Sequence, residues 1–185
     1  MTKSVFLIRI AKFGYIITSL ILCLFGLSLI LKTDYIPAYL IKIGGVICII
    51  FGTIKLIGYF SKDLYRLAFQ FDFELGVIYI ILGLIIVLDL GKVINYIAVP
   101  VGLLVMVDGL FKLRISKDAK DFGIERSWII LVMGLLASIL GGCLALAVGK
   151  NLKLCNVLLG LVLLVEGSLN LLTVIMTVKI IKHQK

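Results

Sequence analysis

Two small residues seven positions apart recur along this 185-residue chain, and they limit what it can fold into. Gly45 and Gly52 are followed by Lys55, Gly102 and Gly109 by Lys112, and Gly160 and Gly167 by Asn170. Corresponding positions lie 57 and then 58 residues apart. Three further pairs, Ser19 and Gly26, Gly76 and Gly83, Gly134 and Gly141, share the spacing, and each ends 19 residues before the next pair begins. Eleven of these twelve positions are glycine, out of 18 glycines in the chain. Seven residues is close to two helical turns, so both members of a pair fall on one stripe of a helix.

The surroundings of the pairs say where such helices sit. The chain is 62% hydrophobic, with a mean hydropathy of +1.23. Continuously apolar runs of about 20 residues follow one another, enough to cross a hydrocarbon core of about 30 Å. Barrel strands would be shorter and would alternate polar with apolar. The expected fold is an all-α membrane protein with spans near 12–31, 36–60, 71–90, 93–113, 127–148 and 153–178. It reads as a single six-helix domain over 1–185, made of three tandem helical hairpins of about 57 residues (10–66, 67–123 and 124–181). Two spans per copy make these parallel repeats, related by an axis along the membrane normal, unlike the inverted repeats of alternating-access transporters. Lys3, Arg9 and Lys12 before the first run resemble the start of a signal peptide. The run is too long for one and no A-x-A site follows, so it is read as an uncleaved span.

Charge sets the expected orientation. The N-terminus, the 61–70 and 112–126 loops, the C-terminal tail and Lys55 together hold 14 of the 19 basic residues. Lys32, Lys42, Lys92, Lys150 and Lys153 lie on the other side. The richer side is expected to be cytoplasmic, placing both termini there in a multi-pass cytoplasmic-membrane protein. Trp128, Tyr59, Phe60 and Tyr65 then mark the inner interface, and Tyr35, Tyr39 and Tyr96 the outer. The net charge of +9 is interspersed between apolar runs and suits anionic headgroups. Without a basic helix or aromatic platform, nucleic acid is not an expected partner. The lipid bilayer is; a homo-oligomer or a membrane partner protein stays open.

Chemistry-bearing motifs are scarce. His183 is the only histidine, which excludes a histidine-based metal site or triad within one chain. Cys23, Cys48, Cys143 and Cys155 contain no C-x-x-C and read as small hydrophobes. Ser127, Ser138 and Ser168 are scattered, and no G-x-S-x-G, P-loop or H-E-x-x-H occurs. No metal, cofactor or enzymatic activity is expected. The glycine stripes have a structural reading, close helix approach in lipid, and a functional one, a path or a ligand seat. Spacing does not separate them.

Asp108 and Glu166 occupy the same repeat position, where the first copy has Phe51. Each follows an outer lysine, Lys92 or Lys150, by 16 residues. That is about 24 Å of helix, placing both acids in the inner third of the core. Charge is costly there. Lys55, Lys112 and Asn170 lie a turn closer to the cytoplasm, and Asp108 with Lys112 makes a favourable i, i+4 pair. One reading is a charge-balanced cluster of these five side chains, with Lys55 reaching Glu166 from a neighbouring copy. The plainer one has both lysines reaching to the headgroups, Asp108 paired on its own helix and Glu166 joining helices. Asp72 and Glu74 open the third span, where acids suit the helix dipole. Asp89 ends that span and reads as solvated, and Lys117–Asp121 reads as a solvated mixed-charge loop.

The segments GTIKLIGYF, DGLFKLRIS and EGSLNLLTVI close the second helix of each copy. Gly26-Leu27 and Gly83-Leu84 stand in the first helices, and Arg126-Ser127-Trp128 opens a span. Over about residues 10–180 this resembles the HdeD-like acid-resistance membrane proteins, which are built from a short membrane repeat of unknown function. The resemblance implies six spans and a role in acid or envelope stress, with no catalytic residues to carry over. The first copy departs from the pattern in having Phe51 where the others have an acid. Mitochondrial carriers also use three two-helix repeats, but their P-x-[DE]-x-x-[KR] signature is absent after Pro37 and Pro100. The leading expectation is a non-enzymatic HdeD-like membrane protein. The alternatives are a channel or carrier for protons or a small solute, with Glu166, Asp108 and the lysines as its gate, and an accessory subunit presenting glycine stripes to a partner.

Overall fold

The computed structural model describes residues 3–31, 38–61, 69–88, 97–147 and 152–178. They form six helices: α1 (Lys3–Leu31), α2 (Ala38–Phe60), α3 (Asp72–Leu88), α4 (Ala98–Asp121), α5 (Ser127–Leu146) and α6 (Leu152–Thr177). Segments of α1, α2, α5 and α6 are long and apolar enough to cross a membrane. The apolar stretch of α3 counts 17 described residues, and α4 carries Asp108, Lys112, Arg114 and the charges of 117–121. Leu24, Leu84, Leu110, Leu135 and Ile139 are exposed on the outside of the bundle, an apolar surface suited to lipid rather than water.

Each helix touches its neighbours in the chain, and α6 returns to α1, so the six close into a ring. The tight contacts are α2 with α3, α4 with α5, and α1 with α6. These are the glycine seams. A Cβ on Gly52 would stand 2.6 Å from the Gly76 carbonyl oxygen, and one on Gly83 2.6 Å from that of Gly45. Gly102 faces Gly141 and Gly109 faces Gly134 at 2.6 and 2.7 Å by the same measure. Gly26 meets Gly160 at 2.6 Å and Gly167 meets Ser19 at 2.7 Å. All twelve small residues are buried, and each seam joins helices that run in opposite directions. The seams therefore lie between successive copies of the pattern rather than within them. The third seam joins the last helix to the first.

Two boundaries differ from those expected. α1 begins at Lys3, and α4 continues to Asp121, so Lys117–Asp121 is helix rather than loop. The stop is set by Gly123 at φ +76°. The Gly123 N–H donates to the Lys120 carbonyl and the Ile124 N–H to the Ala119 carbonyl, the bond pattern of a Schellman cap. Ile115, Ser116 and Ala119 on this extension are buried, and the Ser116 hydroxyl donates to the Ser127 carbonyl at 2.7 Å, tying the last turns of α4 to the start of α5. Of the aromatics assigned to interfaces, Tyr39, Tyr59, Phe60 and Trp128 are exposed near helix ends. Tyr35, Tyr65, Tyr96, Asp89, Lys92, Lys150 and His183 lie outside the described residues.

Candidate functional site

On α2, α4 and α6 the second seam glycine directly follows Phe51, Asp108 or Glu166. Successive residues are about 100° apart around a helix. Packing the glycine against the neighbouring helix therefore turns the preceding side chain toward the middle of the ring. One turn on, Lys55, Lys112 and Asn170 face the same way. All six are buried, with Lys55 and Asn170 at 0% exposure, Glu166 at 1% and Lys112 at 2%. The lysines do not reach out to the helix ends; both turn inward.

Lys55 is the hub. Its Nζ lies 3.0 Å from Asp72 Oδ1 and 3.3 Å from Asp108 Oδ1. It also stands 4.9 Å from the ring centroid of Phe51, 5.5 Å from that of Tyr15 and 5.8 Å from that of Tyr79, within cation–π range of each. Asp108 Oδ2 faces Lys112 Nζ at 3.6 Å, the i, i+4 pair expected on α4. The Tyr15 hydroxyl donates a short hydrogen bond to Asp72. A buried ammonium needs such compensation, because desolvation of each ion costs several kcal/mol.

Glu166 is held differently. Its Oε1 accepts hydrogen bonds from Asn170 Nδ2 at 2.6 Å and from the Tyr79 hydroxyl at 3.3 Å. Oε2 has no hydrogen-bond partner among the described residues. Lys55 does not make the expected bond to Glu166; Asp72 and Asp108, nearer its Nζ, take it instead. Below Asn170 the buried Thr173 and Thr177 continue the polar face of α6, each donating to the carbonyl four residues back.

Three participants were not in the expected set. Asp72 opens α3, as a residue suited to the helix dipole would, but its side chain is buried and spent on Lys55 and Tyr15. Glu74 beside it is exposed. Tyr15 and Tyr79 belong to first helices of the pattern. A signal for one of them was present: Tyr15 and Asp72 are 57 residues apart and so occupy the same repeat position.

On the other side of Glu166 the ring widens into a cavity of about 300 Å³. Phe25, Phe51, Tyr79, Val101 and Leu104 contribute to its mostly apolar wall, and among the described residues Glu166 is its one carboxyl. The cavity extends toward the end of the bundle where α2, α4 and α6 begin. Its lining includes Ile41, Ala98 and Cys155 from their first turns. α5 contributes nothing to the lining. Among the described residues no cluster of histidine, cysteine and acidic groups has the makings of a metal site, and the four cysteines are unpaired.

Several apolar helices of spanning length around a buried ionic core define a multi-pass membrane protein assembled from a repeated unit. Residues 17–88 and 74–147 each match the short repeat of unknown function (DUF308), and the chain belongs to that family. The two matches begin 57 residues apart, the interval of the glycine pattern, and each runs through one complete seam, α2 with α3 or α4 with α5. No curated protein and no solved structure is matched by the chain.

Proposed function

We propose that this is a non-enzymatic, six-span membrane protein of the HdeD-like type, whose central cluster takes up a proton or a small solute. The proposed arrangement is three parallel helical hairpins about an axis along the membrane normal, with both termini in the cytoplasm of a cell whose plasma membrane holds it. The lysine and arginine distribution supports that orientation. It puts the cavity end of the bundle at the outer face. The HdeD-like resemblance supplies acid or envelope stress as the setting.

The observation that carries the reading is Glu166: a fully buried carboxyl at the floor of an apolar cavity, with one oxygen unpartnered among the described residues. Intramembrane acids are costly and mark ion or proton pathways by default. Among the described residues the cluster has three carboxyls (Asp72, Asp108 and Glu166) and two ammonium groups (Lys55 and Lys112). With all five ionised, one negative charge is in excess, and one proton neutralises it. Asp108 pairs with Lys55 and Lys55 with Asp72, so the ionic chain beside Glu166 leads away from the cavity toward the start of α3. The accessory-subunit reading has less behind it, since it calls for small-residue stripes facing outward and all twelve are buried inside the chain.

The test is proton flux into liposomes carrying the purified protein under an imposed pH gradient. Wild type is expected to conduct above protein-free vesicles, and Glu166→Gln to lose at least tenfold of that flux. Equal flux in the two proteins would defeat the proposal.

A further inference from the structure

We infer that the cavity above Glu166 is a binding site for a lipophilic monocation, an ammonium group on a hydrocarbon chain, whose head meets Glu166 Oε2 and whose chain lies along the apolar wall. The inference rests on the preceding reading of Glu166 as an uptake point and names the solute.

Three observations converge on this ligand class. First, the wall. The lining is overwhelmingly apolar over a volume of about 300 Å³. At about 30 Å³ per water-sized unit that is room for roughly ten such units, or a chain of about ten carbons. A hydrophilic solute would lose its hydration along this surface with nothing in return.

Second, the floor. Among the described residues Glu166 is the acid in the cluster without a lysine partner: Lys55 is bonded to Asp72 and Asp108, and Lys112 faces Asp108. Its Oε1 is taken by an amide and a phenol, both neutral donors. The described cluster has one acid more than it has lysines, and Oε2 of the carboxyl that ends the cavity has no donor among the described residues. A cationic donor supplies both the missing hydrogen bond and the missing charge, whereas a neutral hydroxyl supplies only the bond. An anionic head is repelled.

Third, the rings. Phe25, Phe51 and Tyr79 line the cavity, and Phe51 and Tyr79 meet edge to face with centroids 5.0 Å apart. Lys55 Nζ lies within 6 Å of both from the ionic side, and Phe25 is the cavity ring that Lys55 does not engage. The combination of apolar wall, aromatic faces and one free carboxylate oxygen suits a lipophilic cation better than a sugar, an inorganic ion or a fatty acid.

The test uses three probes matched in chain length, decylammonium, decanol and decanoate, on the full chain in lipid nanodiscs. Cys48 and Cys155 line the cavity and Cys143 is exposed elsewhere, so the protein carries its own reporters. Modification by a small methanethiosulfonate is followed at each cysteine by mass spectrometry. Decylammonium is expected to slow modification of Cys48 and Cys155 at least tenfold and to leave Cys143 unchanged. In Glu166→Gln the protection is expected to disappear. The unfolding midpoint is recorded in parallel, so that a cavity closed to the reagent still answers: decylammonium should raise it in wild type and leave it unmoved in Glu166→Gln. Val101→Phe, which fills the cavity and keeps Glu166, should abolish both effects. Equal protection by decanol, retained binding in Glu166→Gln, or no effect of decylammonium by either measure would overturn the inference. Proton flux that depends on Glu166 together with indifference to decylammonium would remove this inference and leave the proton reading in place.

Discussion

Lys55 shows how much one side chain can be asked to hold. Its ammonium is shared between two carboxylates on two other helices and surrounded by three aromatic rings, with no exposure. Removing one member of a buried ion pair typically costs about 3–5 kcal/mol, because the partner is left charged and unpaired. Lys55→Met should therefore lower the unfolding midpoint in detergent sharply. Adding Asp72→Asn should recover part of the loss, since it removes one of the orphaned charges while Asp108 keeps Lys112. Circular dichroism melts of the two variants check this, and a single variant as stable as wild type would show that the pairs contribute nothing. The sequence pointed to five of these residues, because acids and lysines inside apolar runs are conspicuous. It did not point to Asp72. On its own helix Asp72 sits at an N-terminus, where an acid is unremarkable, and its burial is decided by Lys55 of α2 and the hydroxyl of Tyr15 arriving from α1. Nor could spacing say that Lys55 would pass over Glu166, because that choice depends on which helices share a seam.

The seams make the element scale unusually sharp. At Gly141 an added Cβ would stand 2.6 Å from the Gly102 carbonyl oxygen and 2.7 Å from the Met106 backbone nitrogen, and neither can move unless α4 and α5 separate. At Gly142, the next residue, the nearest neighbour is the Met106 sulfur at 3.6 Å, an ordinary contact. Gly141→Ala should therefore destabilise by about 1–3 kcal/mol, the usual cost of overpacking. Gly142→Ala should be neutral or gain up to about 1 kcal/mol from helix propensity. Thermal unfolding of the pair compares two substitutions with the same chemistry and nearly the same place in the chain. If both behave alike, close approach at the seam is not what holds α4 to α5. The glycine spacing was legible in the sequence as a set of packing stripes. Which stripe meets which was not, because every stripe is alike in composition; the pairing of α1 with α6 follows from ring closure, a property of all six helices together.

Ring closure is also where the whole molecule can be tested directly. If α1 and α6 of one chain form the third seam, the first and last helices are neighbours, and Cys23 and Leu164 meet across it although 141 positions apart in sequence. Cys23 of α1 lies 3.8 Å, sulfur to oxygen, from the Ser168 hydroxyl of α6, and its thiol is also 3.8 Å from the Leu164 carbonyl. Ser168→Cys thus puts two thiols face to face across the seam, near the separation from which a disulfide forms with small side-chain adjustment. Mild oxidation of that variant in membranes should produce a cross-link within one chain, seen as a monomer of altered mobility on a non-reducing gel. The change should be absent when Cys23→Ser is added. A small apolar bundle of this kind could instead exchange its terminal helix with a second copy, since the seam surfaces would be identical. That arrangement would give a disulfide-linked dimer from the same variant. The gel therefore separates a self-contained ring, in which the central cluster and its cavity are completed by one chain, from an assembly in which Glu166 on α6 would be supplied to the site by a neighbour.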